Sequence, residues 1–301
     1  MNYQSTKAEF DIFLNNQTQS YFGEENPLNS AVKYSLLAEG KRIRPLLVHA
    51  FSQIFKGDQH IARTCGMAVE MIHTYSLIHD DLPAMDDDDF RRGRPTNHKV
   101  FGEAIAILAG DALLNFAPEY LIHELNAKGF PGKKSLFLVS ELLKSSGHLG
   151  MVKGQVFDLE FEKKDLSTFS KNELLVHLEN IHRLKTGAII KWSCLAGLMS
   201  CSDENLIQKF SQTVSNLGSQ IGLLFQIVDD YIDSNASFQD IGKTPGKDEK
   251  NGKLTYVTLL GDVGTKAKAL ELIDEIRSKI RDFKEKTILE EIVLGLEKKL
   301  N

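Results

Sequence analysis

The amino-acid sequence predicts an all-α protein, a single domain over residues 1–301 built from a bundle of long, mostly antiparallel helices. Three observations carry this expectation. Apolar residues recur at helical spacing along most of the chain, no alternating strand pattern of comparable length competes, and the breaks are short, which favours antiparallel neighbours. A helical core reaches this length as one unit, and 42% hydrophobic with 26% charged residues is a composition able to bury it.

In chain order, helices are predicted at 31–38, 46–55, 61–81, 103–125, 133–145, 171–201, 204–210 and 266–283. The clearest stretch is Leu217, Ile221, Leu224, Phe225, Val228 and Ile232, spaced 4, 3, 1, 3 and 4 apart. Breaks fall at 23–27, Lys56-Gly57-Asp58, 129–132 and Ser202-Asp203, where either residue suits a helix cap. The polar segment 234–253, with Gly242, Pro245, Gly246 and Gly252, is too long for an ordinary connection and reads as a functional or disordered loop.

Lys plus Arg is 36 and Asp plus Glu is 41, a net charge of −5 without basic blocks, so nothing points to nucleic acid. The opening MNYQSTKAEF lacks a signal pattern, and the apolar runs fall well short of the ~20 residues of a membrane span. A cytoplasmic protein with no stable membrane anchor is expected. Cys65, Cys194 and Cys201 have no metal-ligand spacing and read as reduced core thiols.

Two acidic clusters break this ordinary picture. Asp80, Asp81, Asp86, Asp87, Asp88 and Asp89 place six carboxylates in ten positions at the end of an apolar helix. A run of aspartates is most often a solvated loop, yet these emerge from a buried element and are followed by Arg91, Arg92 and Arg94. Pro83 should bend the chain and turn Asp86 back toward Asp80. The second cluster, Asp229, Asp230 and Asp233 with Gln226 one turn earlier, closes another apolar helix on one face. Carboxylates without thiolate or imidazole partners select hard cations, magnesium above all where phosphate supplies further oxygens, and arginine forks match phosphate.

The ordered motifs GKRIRP (40–45), DDLPAMDDDDFRRGRPTNH (80–98), GMVKGQVFDLE (150–160), KTGA (185–188), FQIVDDYID (225–233), GKTPGKD (242–248) and GKLTY (252–256) resemble those of trans-isoprenyl diphosphate synthases, particularly the bacterial-type farnesyl diphosphate synthases, the geranyltranstransferases. The resemblance runs from about residue 29 to about residue 261. It implies helices around a deep central cavity with the aspartate motifs opposed at its mouth. It also implies a magnesium-dependent prenyltransferase, with three ions per site, that condenses isopentenyl diphosphate with dimethylallyl or geranyl diphosphate by ionisation, condensation and elimination.

Carried over to this chain, the resemblance assigns Lys41, Arg44, His73 and Arg92 to isopentenyl diphosphate, and Arg91, Lys185, Lys243 and Lys253 to the allylic diphosphate. Asp80, Asp86 and Asp229 would hold magnesium, with Asp81, Asp230 and Asp233 as direct or indirect helpers. Lys185, Thr186 and Gln226 would line the place where positive charge develops. Without the resemblance His73 reads as a core histidine. Asp111 reads as a buried structural acid, and Asp158 with Gln155 as support for Lys185.

Segment 234–253 is the expected lid. Tyr75, about 7.5 Å down the helix from Asp80, is the expected floor of a fifteen-carbon tail pocket, with Ser76 little obstruction beside it. Lys153 and Val257 depart from the family pattern, and surface and loop effects are expected of them. A homodimer is implied by the family. A geranylgeranyl diphosphate synthase, a terpene cyclase and a non-catalytic prenyltransferase subunit are the alternatives. The last two fit poorly with two intact aspartate motifs and a second-substrate set of cations.

Overall fold

Caps fix where many of the helices begin. A computed structural model describes residues 2–162, 164–235 and 253–300. Asn2 opens α1 (Tyr3–Phe22) through a capping box with Ser5, Asn26 caps α2 (Pro27–Leu36), and Asp58 caps α4 (Gln59–Asp80). Between them runs α3 (Ile43–Ile54). The chain then forms a two-residue-per-strand hairpin, β1 (Phe90–Arg91) and β2 (Arg94–Pro95), and continues through α5 (Asn97–Phe101), α6 (Glu103–Ala127), α7 (Gly132–Ser146) and α8 (Met151–Glu162). Ser170 and Glu173 box the start of α9 (Lys171–His182), which passes through a π-helical turn (Arg183–Gly187) into α10 (Ala188–Met199). Last come α11 (Glu204–Asn235), α12 (Tyr256–Ile280, kinked at Gly261) and α13 (Thr287–Glu297).

The centre is made of α3, α4, α10 and α11. α10 packs on α3, α4, α7 and α11, while α6 covers α4 and α12 covers α11. One set of buried side chains gathers around α4 and α6, including Ile72, Leu113 and Trp192. A second gathers around α11, including Leu217, Ile221 and Ile273. The free cysteines are buried within these cores, as expected.

The all-α expectation holds among the described residues, and its errors are local. Helix α1 was not anticipated because its buried stripe, Thr6, Phe10, Leu14, Thr18 and Phe22, is narrow and partly polar. Helix α8 was not anticipated because one face carries cavity chemistry in place of core. The predicted helices 204–210 and 217–232 are one, since Val214 continues the buried stripe through a polar stretch. The predicted helix 171–201 is interrupted by the π turn. The expected lid lies largely outside the described residues, as does Lys243. By length and composition alone, α6 is long and apolar enough to cross a membrane. Its buried side packs on α4, and Ile107, Leu108 and Ile122 remain outside.

Candidate active site

Three helices, α4, α8 and α11, run up to one mouth with their C-terminal ends, and between them lies a cavity of about 610 Å³. Asp80 and Asp86 stand on its rim from one side, and Asp229, Asp230 and Asp233 from another. Pro83 lies in the turn that folds the first cluster back, with the Asp86 N–H donating to the Asp80 carbonyl at 2.9 Å. Burial, then the neighbouring Asp86 and Asp81 carboxylates, push Asp80 up to about 6 against the pull of Lys185 and Arg91. A carboxylate held that way is poised for a cation.

The arginine pair is divided by the hairpin. Arg92 and Gly93 form its two-residue loop, with φ of 54° and 73°, the left-handed pair that such turns require. Arg91 therefore points inward and its Nε donates to Asp81 Oδ1 at 2.6 Å, with Asp88 Oδ2 3.6 Å from Nη2. Asp81 is buried against Arg91 and lies off the cavity lining, so it holds Arg91 in place. Arg92 leans over Gly40, where a β-carbon would come within 2.8 Å of Nη1.

On the opposite wall the π turn presents Lys185 and Thr186. Such turns displace a side chain from ordinary helical register and recur at functional sites. Two glycines let it sit close: a β-carbon at Gly154 would lie 2.3 Å from the Lys185 nitrogen, and one at Gly222 would lie 2.7 Å from the Gly187 Cα. Lys185 Nζ lies 2.6 Å from Asp158 Oδ2, and Lys253 Nζ is 3.6 Å from the same oxygen. Although burial pushes Asp158 up, Lys185 and Lys253 hold it below the usual carboxylate range. Thr186 donates to Gln226 Oε1 at 2.9 Å, and Asp230 accepts from the Tyr256 N–H at 2.8 Å. Gln155 makes no hydrogen bond to Lys185, so of the expected pair Asp158 alone bonds that lysine.

The basic side is split likewise. Arg44 and His73 line the cavity, while Lys41 and Arg92 stand off its wall. Burial, with the adjoining Arg92, pushes Arg44 down to about 10, and burial beside Arg44 and Arg92 holds His73 well below 6.5 and hence neutral. Three participants escaped sequence reading. Arg42 is buried and donates to Glu70 Oε1 at 2.6 Å and to Asp11 at 2.9 Å, so it supports the loop and leaves the cavity to Arg44. Glu70, 1% exposed, sits behind Arg42, Arg44 and Arg92; its isolation as the one acid between Asp58 and Asp80 was the available signal. Lys299 comes from the C-terminal turn to lie beside Lys41, and burial and then Lys41 push it down to about 8. No spacing in the sequence links them.

At depth the lining turns apolar, with Met151, Val152, Val156 and Phe225, and Tyr75 reaches across to the Ser146 carbonyl at 3.5 Å. Ser76 folds back to its own helix, donating to the His73 carbonyl at 2.9 Å. Asp111 is not the buried acid expected: it is half exposed, 3.9 Å from His79. Lys153 is exposed over Phe157 at 5.4 Å, and Val257 is half-buried in the first turn of α12 rather than in a loop.

Comparison with known proteins agrees with this geometry. Residues 25–293 match the family model for polyprenyl synthetase. A farnesyl diphosphate synthase of Micrococcus luteus is 46% identical over 256 residues, covering 83% of this chain and 82% of that protein. The heterodimeric geranylgeranyl pyrophosphate synthase large subunit 1 of Arabidopsis thaliana is 43% identical over 289 residues, covering 94% and 74%. The crystal structure of a geranyltransferase from Helicobacter pylori, complexed with magnesium and isoprenyl diphosphate, superposes with a TM-score of 0.77 at 28% identity over 97% and 96% of the two chains. Sequence and fold together make this chain a member of the polyprenyl synthetase family of prenyltransferases.

Proposed function

We propose that the protein joins isopentenyl diphosphate to dimethylallyl or geranyl diphosphate and releases the fifteen-carbon product, farnesyl diphosphate. The observation that carries this reading is the cavity itself. Its acidic mouth is flanked by cations on two separate walls, Arg44 with His73 and Arg91 with Lys185 and Lys253, and it narrows to apolar side chains and Tyr75. Two walls of cations suit two diphosphates, and one apolar end suits one growing tail.

The donor set fits magnesium. Among the described residues no three carboxylates or imidazoles converge on one point, so each ion would be completed by phosphate oxygens and water, the usual manner for this cation. Asp80, Asp86 and Asp229 would hold the ions, three in number, with Asp230 and Asp233 beside them. When bound, magnesium supplies Lewis-acid neutralisation of the departing pyrophosphate. Arg44 and neutral His73, with Lys41 and Arg92 behind them, hold isopentenyl diphosphate. Arg91, Lys185 and Lys253 hold the allylic diphosphate, and Lys243, outside the described residues, belongs to that set by resemblance. The allylic C1–O bond breaks with its electron pair on pyrophosphate, the isopentenyl double bond adds to C1, and a proton passes from C2 of the added unit to the departing pyrophosphate, leaving the new double bond. Thr186 and Gln226 face the cation, and the apolar walls keep water from it.

Incubation with isopentenyl diphosphate, geranyl diphosphate and magnesium is expected to give farnesyl diphosphate, with pyrophosphate release that needs both substrates. Release from the allylic substrate alone would instead indicate a cyclase. A twenty-carbon product, as the name of the Arabidopsis relative implies for that protein, is disfavoured by Tyr75, which is 5% exposed against α7. Tyr75→Ala is expected to shift the main product to twenty carbons or more, read by chromatography of the dephosphorylated alcohols; an unchanged length would remove Tyr75 as the floor.

We also propose a homodimer through the outer face of α6 and α7. These neighbours expose Leu108 (53%), Leu136 (72%) and Leu143 (47%), apolar surface of the kind that marks a contact between chains. Light scattering at micromolar concentration is expected to give twice the chain mass, and Leu108→Asp to give the single-chain mass. A monomeric wild type would refute the assignment.

A further inference from the structure

The cavity wall contributed by α8 has a chemical gradient. Met151, Gln155, Asp158 and Glu162, at spacings of 4, 3 and 4, all line the cavity, apolar at depth and acidic at the mouth. Asp158 and Glu162 are accounted for by Lys185 and Lys253. Gln155 is different. Both of its side-chain polar atoms, Oε1 and Nε2, are buried and find no hydrogen-bond partner among the described residues. A buried primary amide without partners is costly, and such a group in a folded protein calls for a reason.

Its height in the cavity supplies one. Gln155 lies three residues, about 4.5 Å along the helix, below Asp158. Gln226 on α11 lies the same three residues below Asp229, with both helices ending at the same mouth. Two amides thus stand at one level, beneath the carboxylates and lysines that hold charge and above the apolar walls that hold the tail. Gly154 fixes that level, since its missing side chain sets α8 directly against the backbone of Lys185. The oxygen of Gln226 already accepts from Thr186, whereas the oxygen of Gln155 accepts from no described residue.

We propose that Gln155 is a catalytic residue whose side-chain amide touches the reacting carbons of the allylic substrate, its oxygen facing the allyl cation formed when the C1–O bond breaks. This inference rests on the reading that the cavity ionises an allylic diphosphate. The electron pair of that bond leaves on pyrophosphate, and the positive charge spreads over C1 and C3, at the boundary between polar mouth and apolar tail. A fixed amide dipole there needs no reorganisation as charge appears, which is the setting in which such groups act most strongly. That no described residue bonds this amide is then part of the design, a local loss of stability kept for function.

The test is Gln155→Met, close in volume and without hydrogen-bonding atoms. With geranyl and isopentenyl diphosphates the kcat is expected to fall by about 10-fold to 100-fold, as for loss of one oriented dipole, with KM for isopentenyl diphosphate within about twofold of wild type. The melting temperature of the ligand-free variant is expected to equal or exceed that of wild type. A kcat within about threefold of wild type would overturn the proposal, and so would a fall in melting temperature accompanying the loss of rate, which would make the amide structural. Wild-type protein assayed in parallel separates this from failure of the functional reading: if it makes no elongated product the reading itself fails, and if it does while Gln155→Met matches it, only the role of Gln155 fails.

Discussion

Asp80→Asn is expected to lower turnover by about a thousandfold, on the order of 4 kcal/mol of transition-state stabilisation, while making the ligand-free protein more stable above pH 6. The two effects have one cause. Asp80 is pushed up to about 6 by burial and by Asp86 and Asp81, from an ordinary value of 3.8. Between those values the folded chain binds more protons than the unfolded chain, so stability falls as pH rises from about 4 and the penalty is fully present above about 6. Asparagine carries no charge to penalise, but it offers one neutral oxygen where a cation needs a carboxylate. Melting temperatures across this range should diverge up to about pH 6 and then run parallel, with the variant higher. Equal curves would show that Asp80 is not strained, and retained turnover would remove it from the metal set.

Glu70→Gln is expected to destabilise the fold by about 3 kcal/mol, the lower end for breaking a buried ion pair from one side. Glu70 is almost wholly inaccessible and receives Arg42 Nη1 at 2.6 Å, with the charges of Arg44 and Arg92 also felt nearby. Arg42 keeps Asp11 at 2.9 Å, which limits the loss. Urea denaturation should show the change in midpoint. The double variant Arg42→Met with Glu70→Met should be less destabilised than the sum of its parts, because it leaves no buried charge unpaired. Simple additivity would mean that the pair does not couple. The KM for isopentenyl diphosphate should also rise in Glu70→Gln, since Arg44 and Arg92 lose the carboxylate behind them.

How much of this was legible in the sequence depended on whether a signal was local. Asp80 and Asp86, or Gln226 and Asp229, are neighbours along one helix or turn, and their spacing put each pair at the end of an apolar helix, while the resemblance supplied the cavity that the structure has them line. Pro83 likewise foretold the return of Asp86. What failed was anything set by contact between distant segments. The partnership of Lys299 with Lys41 joins opposite ends of the chain, and no periodicity reports it. Arg91 and Arg92 look equivalent as a dipeptide, but a hairpin with an Arg-Gly loop sends one inward to Asp81 and the other over Gly40. Helix α8 was hidden because Gln155, Asp158 and Glu162 face a cavity rather than a core, so the usual apolar stripe is interrupted where the chemistry lies.

The π turn at Arg183–Gly187 also has a meaning for how the sequence can change over generations. A turn closed by i→i+5 bonds behaves like an α-helix into which one residue has been slipped. Removing one residue from it would restore a plain helix from α9 through α10 with both flanks kept in their present orientation, and would shift the side chains of the turn itself out of their present register. Lys185 would then leave Asp158 and the cavity, while each side chain of α10 could still find its core position. A deletion here would therefore spare the fold and silence the site, whereas substitutions at the same positions act one side chain at a time.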